Sequence, residues 1–200
     1  MEMRRTLAFL GIIFAGYWLW KTDMNHDNQA SLEPVVPGIS RLLPDHKPTQ
    51  KEVADTTAIR HWLSTEAITV SRGEMHPTKT VVHLKQRALS LTPPELAVLK
   101  DAALSPMASS DERLLAVYII GLSESSAARE DLKEIAKTPV PVTENERARS
   151  DEVVIRANAL DTVVGRLSTV ESKTYLEDMA AHASEPALAK HARYWLTRLN

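Results

Sequence analysis

The chain of 200 residues contains no cysteine. That excludes a disulfide scaffold, a thiol nucleophile, a zinc site with cysteine ligands and a lipid-modified N-terminal cysteine. Glycine is scarce, with six residues spread along the chain, so a collagen-like chain is excluded and a glycine-built phosphate cradle lacks its material. Charge of one sign is missing too: 24 basic residues stand against 26 acidic ones, which argues against the basic face of a dedicated nucleic-acid binder. Aromatics make up only 5%, and eleven prolines punctuate the text, a composition that suits helices joined by loops better than a sandwich or barrel. With 44% hydrophobic and 25% charged residues, the chain has the makings of a folded domain.

One long hydrophobic run exists. Arg4 and Arg5 precede Thr6 to Trp20, fifteen residues without a charge, and Lys21 ends the run. A basic start followed by an apolar stretch is the pattern of a signal peptide or a membrane anchor. Fifteen helical residues rise about 22 Å, short of the ~30 Å hydrocarbon core, which favours a cleaved signal. No small-x-small cleavage site follows at a usual distance, and Tyr17, Trp18 and Trp20 cluster where an aromatic interface belt would sit, which favours an anchor through residues 6–20. The expectation is an uncleaved signal-anchor over residues 1–21, with secretion after cleavage as the alternative. The basic residues put the N-terminus in the cytoplasm and the rest outside it, in the periplasm if the cell is Gram-negative. Residues 22–48, rich in proline and asparagine and without a lasting period, read as a flexible linker.

From residue 49 to 200 the text reads as an all-α domain. Thr49-Gln50-Lys51-Glu52 is a capping box for a helix over about 50–65. Ala67-Ile68-Thr69-Val70 looks strand-like and allows a hairpin with residues 80–84, although Val81, Leu84, Ala88 and Leu89 are spaced for a helix over about 79–90, the preferred reading. Thr92-Pro93-Pro94-Glu95 is the clearest helix start, with proline where its missing N–H costs nothing. Further helices are expected from Ser110 to Leu122, from Ser125 or Ser126 to Lys137, from the Thr143-Glu144-Asn145-Glu146 box as far as Leu167, from Ser172 to His182, and from Glu185-Pro186 to Leu199. Leu115, Ile119, Leu160, Val164, Leu176 and Trp195 are the expected core, and Trp62 is expected to pack inside as well.

Three openings look alike: SDERLLAVYIIGL from Ser110, SDEVVIRANALDTVVGRL from Ser150 and SEPALAKHARYWLTRL from Ser184, separated by 40 and 34 residues. Each joins a serine, an acid and an apolar helix, with another helix between, the period of stacked helix pairs. On Asp111 and Asp151 at the openings, Arg156 with Ala159 and Leu160, Gly165 with Leu167, and Gly121 with Leu122, residues 92–200 resemble the HEAT-like repeats. Leu115 or Ala116 stands where Arg156 would be matched in the first unit, and Glu185 is followed by proline in the last. The resemblance implies antiparallel helix pairs stacked as a short HEAT-like α-solenoid that offers a surface to another protein.

Chemistry is sparse. The seven histidines show no i, i+4 pair and no H-E-x-x-H, and only His182 and His191, with Glu185, are placed to approach across a helix hairpin. Carboxylate neighbours such as Asp151/Glu152 point about 100° apart on a helix and form no dyad. From Glu144 onward, nine acids and eight bases interleave as a solvated surface. The expected function is therefore a non-catalytic, membrane-anchored, extracytoplasmic module for protein–protein interaction, with no cofactor, no metal and no nucleic acid, and with an envelope-associated protein as partner. Two alternatives stay open: an enzyme or small-ligand binder built from scattered residues, and a structural accessory subunit of an envelope complex. The candidate partner-binding residues are His191, Tyr194 and Arg198, which share a helix face at i, i+3 and i+7. Tyrosine and arginine are common interface anchors, and histidine adds a charge that changes near neutral pH.

Overall fold

A computed structural model describes residues 50–74 and 76–199, with side chains from Thr56 onward. The expected anchor over residues 6–20, the linker over residues 22–48 and the Thr49 cap lie outside the described residues. Eight helices follow in order: α1 (Gln50–Arg72), α2 (Pro77–Leu89), α3 (Pro93–Leu104), α4 (Ser110–Leu122), α5 (Ser126–Lys137), α6 (Glu146–Val164), α7 (Thr169–His182) and α8 (Pro186–Leu199). The described residues contain no strand, and none of their helices is long and apolar enough to cross a membrane.

Local chemistry sets most of the starts. At α3, Glu95 reaches back to accept from the Thr92 amide at 2.8 Å. Ser125 caps α5 by accepting from Ala128 N, and a Leu132, Ile135, Ala136 face turns inward with Ala128 at helical spacing. Two starts differ from expectation. Asn145, not Thr143, caps α6, its Oδ1 accepting from the amides of Arg147 and Ala148. The helix before α8 begins at Thr169 rather than Ser172, because Ser168 and Glu171 form a full capping box upstream. Ser172 is then buried inside α7 and donates to the Val164 carbonyl.

The strand-like stretch is helical. Ile59, Leu63, Ala67 and Val70 are all buried along one stripe of α1, a 3.6-residue spacing that the β-branched residues masked. Gly73, at φ 66°, ends that helix. Gly73 N donates to Val70 O and Glu74 N to Thr69 O, the paired bonds of a Schellman motif, which needs a left-handed residue and so favours glycine.

Residues Asp55–Asn200 form one compact unit. The chain packs each helix of α3 to α6 on its successor, and α7 on α8, while α2, α4, α6 and α8 also touch in series. α4 sits at the centre against α2, α3, α5 and α6, and is buried from Arg113 through Val117 and again at Ile119 and Ile120. Polar links also join alternate helices, and between α4 and the α6 region they advance together along both partners, so α4 and α6 run parallel. Ser110 donates to Asp151, Arg113 to Glu152 and Arg166 to the Ser123 carbonyl between α4 and the α6 region. Lys100 meets Asp131 and Glu134 between α3 and α5, and Lys137 meets Asp178 between α5 and α7. Gly121 belongs to the same α4–α6 seam: a Cβ built there would lie 2.6 Å from Thr162 Cγ2. Thr162 is held by its own hydroxyl bond to Asn158 O, so the contact leaves room only for glycine unless the helices part.

One of the three similar openings falls inside a helix rather than at its start. Ser110 does start α4, but Ser150 and Asp151 lie in the second turn of α6, because that helix already begins at Glu146. Two arginines make comparable bonds: Arg113 Nε donates to Ala103 O at the end of α3, and Arg156 Nε donates to Thr138 O at the end of α5. Arg193 makes the third such bond, to Ala180 O near the end of α7. In each case an arginine on one helix satisfies a carbonyl that the preceding helix leaves open at its C-terminus. Glu152 lies between the first two, bonded to Arg113 at 2.6 and 2.8 Å and to Arg156 at 2.5 Å, and all three side chains are buried.

Candidate functional site

α8 begins with proline at its first position and buries Leu188, Ala189 and Ala192. That orientation fixes what the opposite side presents. Tyr194 is 48% exposed, Arg198 is exposed, and His191 is half-buried. The three candidate residues are in contact through the tyrosine: the Arg198 guanidinium carbon lies 4.7 Å from the Tyr194 ring centroid, and the His191 ring stacks on it at 6.3 Å with planes 19° apart. Helical spacing alone brings them together.

Asp161 on α6, a residue without any local sequence signal, holds the group from behind. Its Oδ1 accepts from Trp195 Nε1 at 2.5 Å and lies 2.6 Å from His191 Nε2. The indole then meets Tyr194 edge-on, with centroids 6.5 Å apart. Trp195 is thus not the core residue expected. It is half-buried, because its N–H needs a polar partner and finds one at the seam between α6 and α8. Trp62 is half-buried likewise, with the Arg87 guanidinium 5.5 Å from its ring centroid.

The hydrogen bond to Asp161 raises the His191 pKa above the ordinary imidazole value; burial opposes this, and the carboxylate's charge adds to it. A raised folded value means that the pair's contribution to stability is complete below the unfolded imidazole pKa and fades as pH rises through the folded one.

The alternative histidine group does not assemble. His182 pairs with Asp178, and Glu185 with Arg149, while His191 faces Asp161. Among the described residues, no three His, Cys, Asp or Glu side chains are placed to hold a metal ion. Asp161 and His191 have the form of a carboxylate-oriented base, yet among the described residues no serine or threonine hydroxyl is hydrogen-bonded to the ring. A cleft of ≈ 160 Å³ beside His182 is lined also by Lys137, Asp178, Met179 and Leu188, and one of ≈ 250 Å³ by Arg60, Leu63, Asp101, Met107 and Glu112 without a histidine. Beside its aromatic contacts, the α8 surface offers hydrogen-bond donors and a ring carrying a guanidinium on its face. The chain matches no protein-family model, no curated protein and no solved structure.

Proposed function

We propose that this chain is a membrane-tethered, extracytoplasmic module that binds another protein through the outer face of α8, and that its helix pairs are HEAT-like repeats stacked as a short solenoid. The observation that carries the reading is the preassembled Tyr194, with Arg198 on its ring and His191 stacked beside it. An aromatic side chain already braced by its neighbours loses little freedom on binding, which is what makes an anchor effective. The parallel run of α4 and α6, the polar links between alternate helices and the recurrent arginine at a helix end support the repeat reading. The uncharged run over residues 6–20, with basic residues before it, supports the tether and the orientation.

Crosslinking of the full chain in cells, with mass spectrometry of what is captured, tests the function. The expected result is an envelope-associated protein joined through residues of α8, and a mature chain that still begins ahead of residue 22. A mature N-terminus between residues 22 and 35 would replace the anchor by a cleaved signal, and the absence of any captured protein would remove the binding reading.

A further inference from the structure

The outer face of α8 has a property that the balanced charge of the C-terminal half conceals. α8 carries Lys190, His191, Arg193 and Arg198 and not one acidic residue. Lys190, Tyr194 and Arg198 follow one another at i, i+4 and i+8 and are all exposed, so they form a row along the helix with the aromatic ring in the middle. The neighbouring acids are already engaged: Asp161 with His191 and Trp195, Glu185 with Arg149, Asp178 with Lys137 and His182. Among the described residues, Lys190 and Arg198 enter no ion pair, and Arg193 spends its guanidinium on the Ala180 carbonyl. Among the described residues, the row is therefore two cations without a carboxylate partner, flanking an exposed ring.

Resting on the protein-binding reading above, we propose that Lys190, Tyr194 and Arg198 dock an acidic segment of the partner protein, one with two carboxylates about 12 Å apart flanking an apolar side chain. Eight helical residues rise about 12 Å, which sets the carboxylate spacing. An extended segment covers that distance in about four residues and turns alternate side chains the same way, so acid–x–apolar–x–acid places an apolar group on Tyr194 and a carboxylate at each end. Arginine accepts a carboxylate through paired donors while its flat face stays on the ring, and lysine supplies a point charge at the other end. An anionic lipid surface fits less well. A helix that lies on a bilayer inserts its apolar face, and on α8 Leu188, Ala189 and Ala192 are buried within the fold, with Trp195, Leu196 and Leu199 half-buried.

The test uses the full chain in cells with a photo-reactive amino acid at Thr197, which is exposed on the same helix beside Tyr194. Mass spectrometry identifies the crosslinked segment, and yields are compared with Lys190→Glu/Arg198→Glu and Lys190→Gln/Arg198→Gln, each checked for unchanged helicity. The expected result is a partner segment with acids flanking an apolar residue and a yield at least tenfold lower with the charge reversal, the glutamine pair falling between. A neutral or basic partner segment, or a yield unmoved by charge reversal, would overturn the acidic-segment proposal while leaving the binding function standing. Crosslinks to lipid alone, or none at all, would overturn both.

Discussion

Glu152→Ala is expected to destabilise the folded chain by about 3–5 kcal/mol, on the order of 10 °C in Tm, measured by urea and thermal denaturation. The reason is the company that Glu152 keeps. Its two oxygens answer the guanidinium of Arg113 on α4 and that of Arg156 on its own helix, and these side chains are 5% and 1% exposed. Deleting the carboxylate leaves two buried cations without an anion. The arginines are also tied to Ala103 O, Thr138 O and Pro139 O, so they cannot swing out to water without stripping carbonyls at the ends of α3 and α5. For the same reason, replacing all three by apolar residues would not be neutral here, as it can be for an isolated buried triad. Acid should weaken the link in a defined direction. Burial pushes the Glu152 carboxyl up, but hydrogen bonds from Arg113 and Arg156, aided by their charges, outweigh it and hold its pKa below the usual glutamate value. Its contribution is therefore complete above the unfolded carboxyl pKa and is lost as pH falls through the depressed folded one. Glu152→Gln should remove that part of the acid sensitivity. A cost below about 1 kcal/mol for Glu152→Ala would show that the three groups are not desolvated in solution.

Leu160→Ala is expected to cost about 2–5 kcal/mol in the same denaturation experiments. Leu160 is 0% exposed on α6, the helix that packs against α4, α5, α7 and α8. Truncation there empties a fully buried position, and helices pinned by the Arg113–Glu152–Arg156 link and by the Asp161 contacts to α8 have little freedom to close the void. Leu89→Ala on α2 is the internal comparison. Leu89 is 55% exposed, and its truncation should move stability by no more than about 0.5 kcal/mol. Equal effects of the two substitutions would contradict the placement of the core.

Local chemistry made the helices legible and long-range chemistry stayed hidden. Thr92-Pro93-Pro94-Glu95 and Ser125 announce their helices because a cap and its orphan amides lie within four residues, and Pro186 announces α8 because its missing N–H costs nothing at the first position. The extension of α1 to Arg72 was obscured by Ile68, Thr69 and Val70, whose β-branched side chains mimic a strand, although Ile59, Leu63, Ala67 and Val70 keep the helical period. Ser168 is inconspicuous as a helix start because Gly165 and Leu167 read as the continuation of the helix before it. Arg113 and Arg156 do comparable work, yet their shared partner Glu152 is 39 residues from Arg113, a link that only folding reveals. The candidate site divides the same way. Helical spacing was enough to group His191, Tyr194 and Arg198, but Asp161, 30 residues before His191 and 34 before Trp195, turns that group into a braced surface. Its pull on the indole N–H also explains why Trp195 stands at the seam rather than in the core.

The double substitution Tyr194→Ala/Arg198→Ala in the full chain tests the working surface most directly. Both side chains point outward, and their loss leaves Leu188, Ala189, Ala192 and the Asp161 contacts in place. Helicity and Tm are expected to stay nearly unchanged while partner capture in cells falls at least tenfold, equivalent to about 1.4 kcal/mol. Undiminished capture by the folded double variant would contradict the assignment of this face.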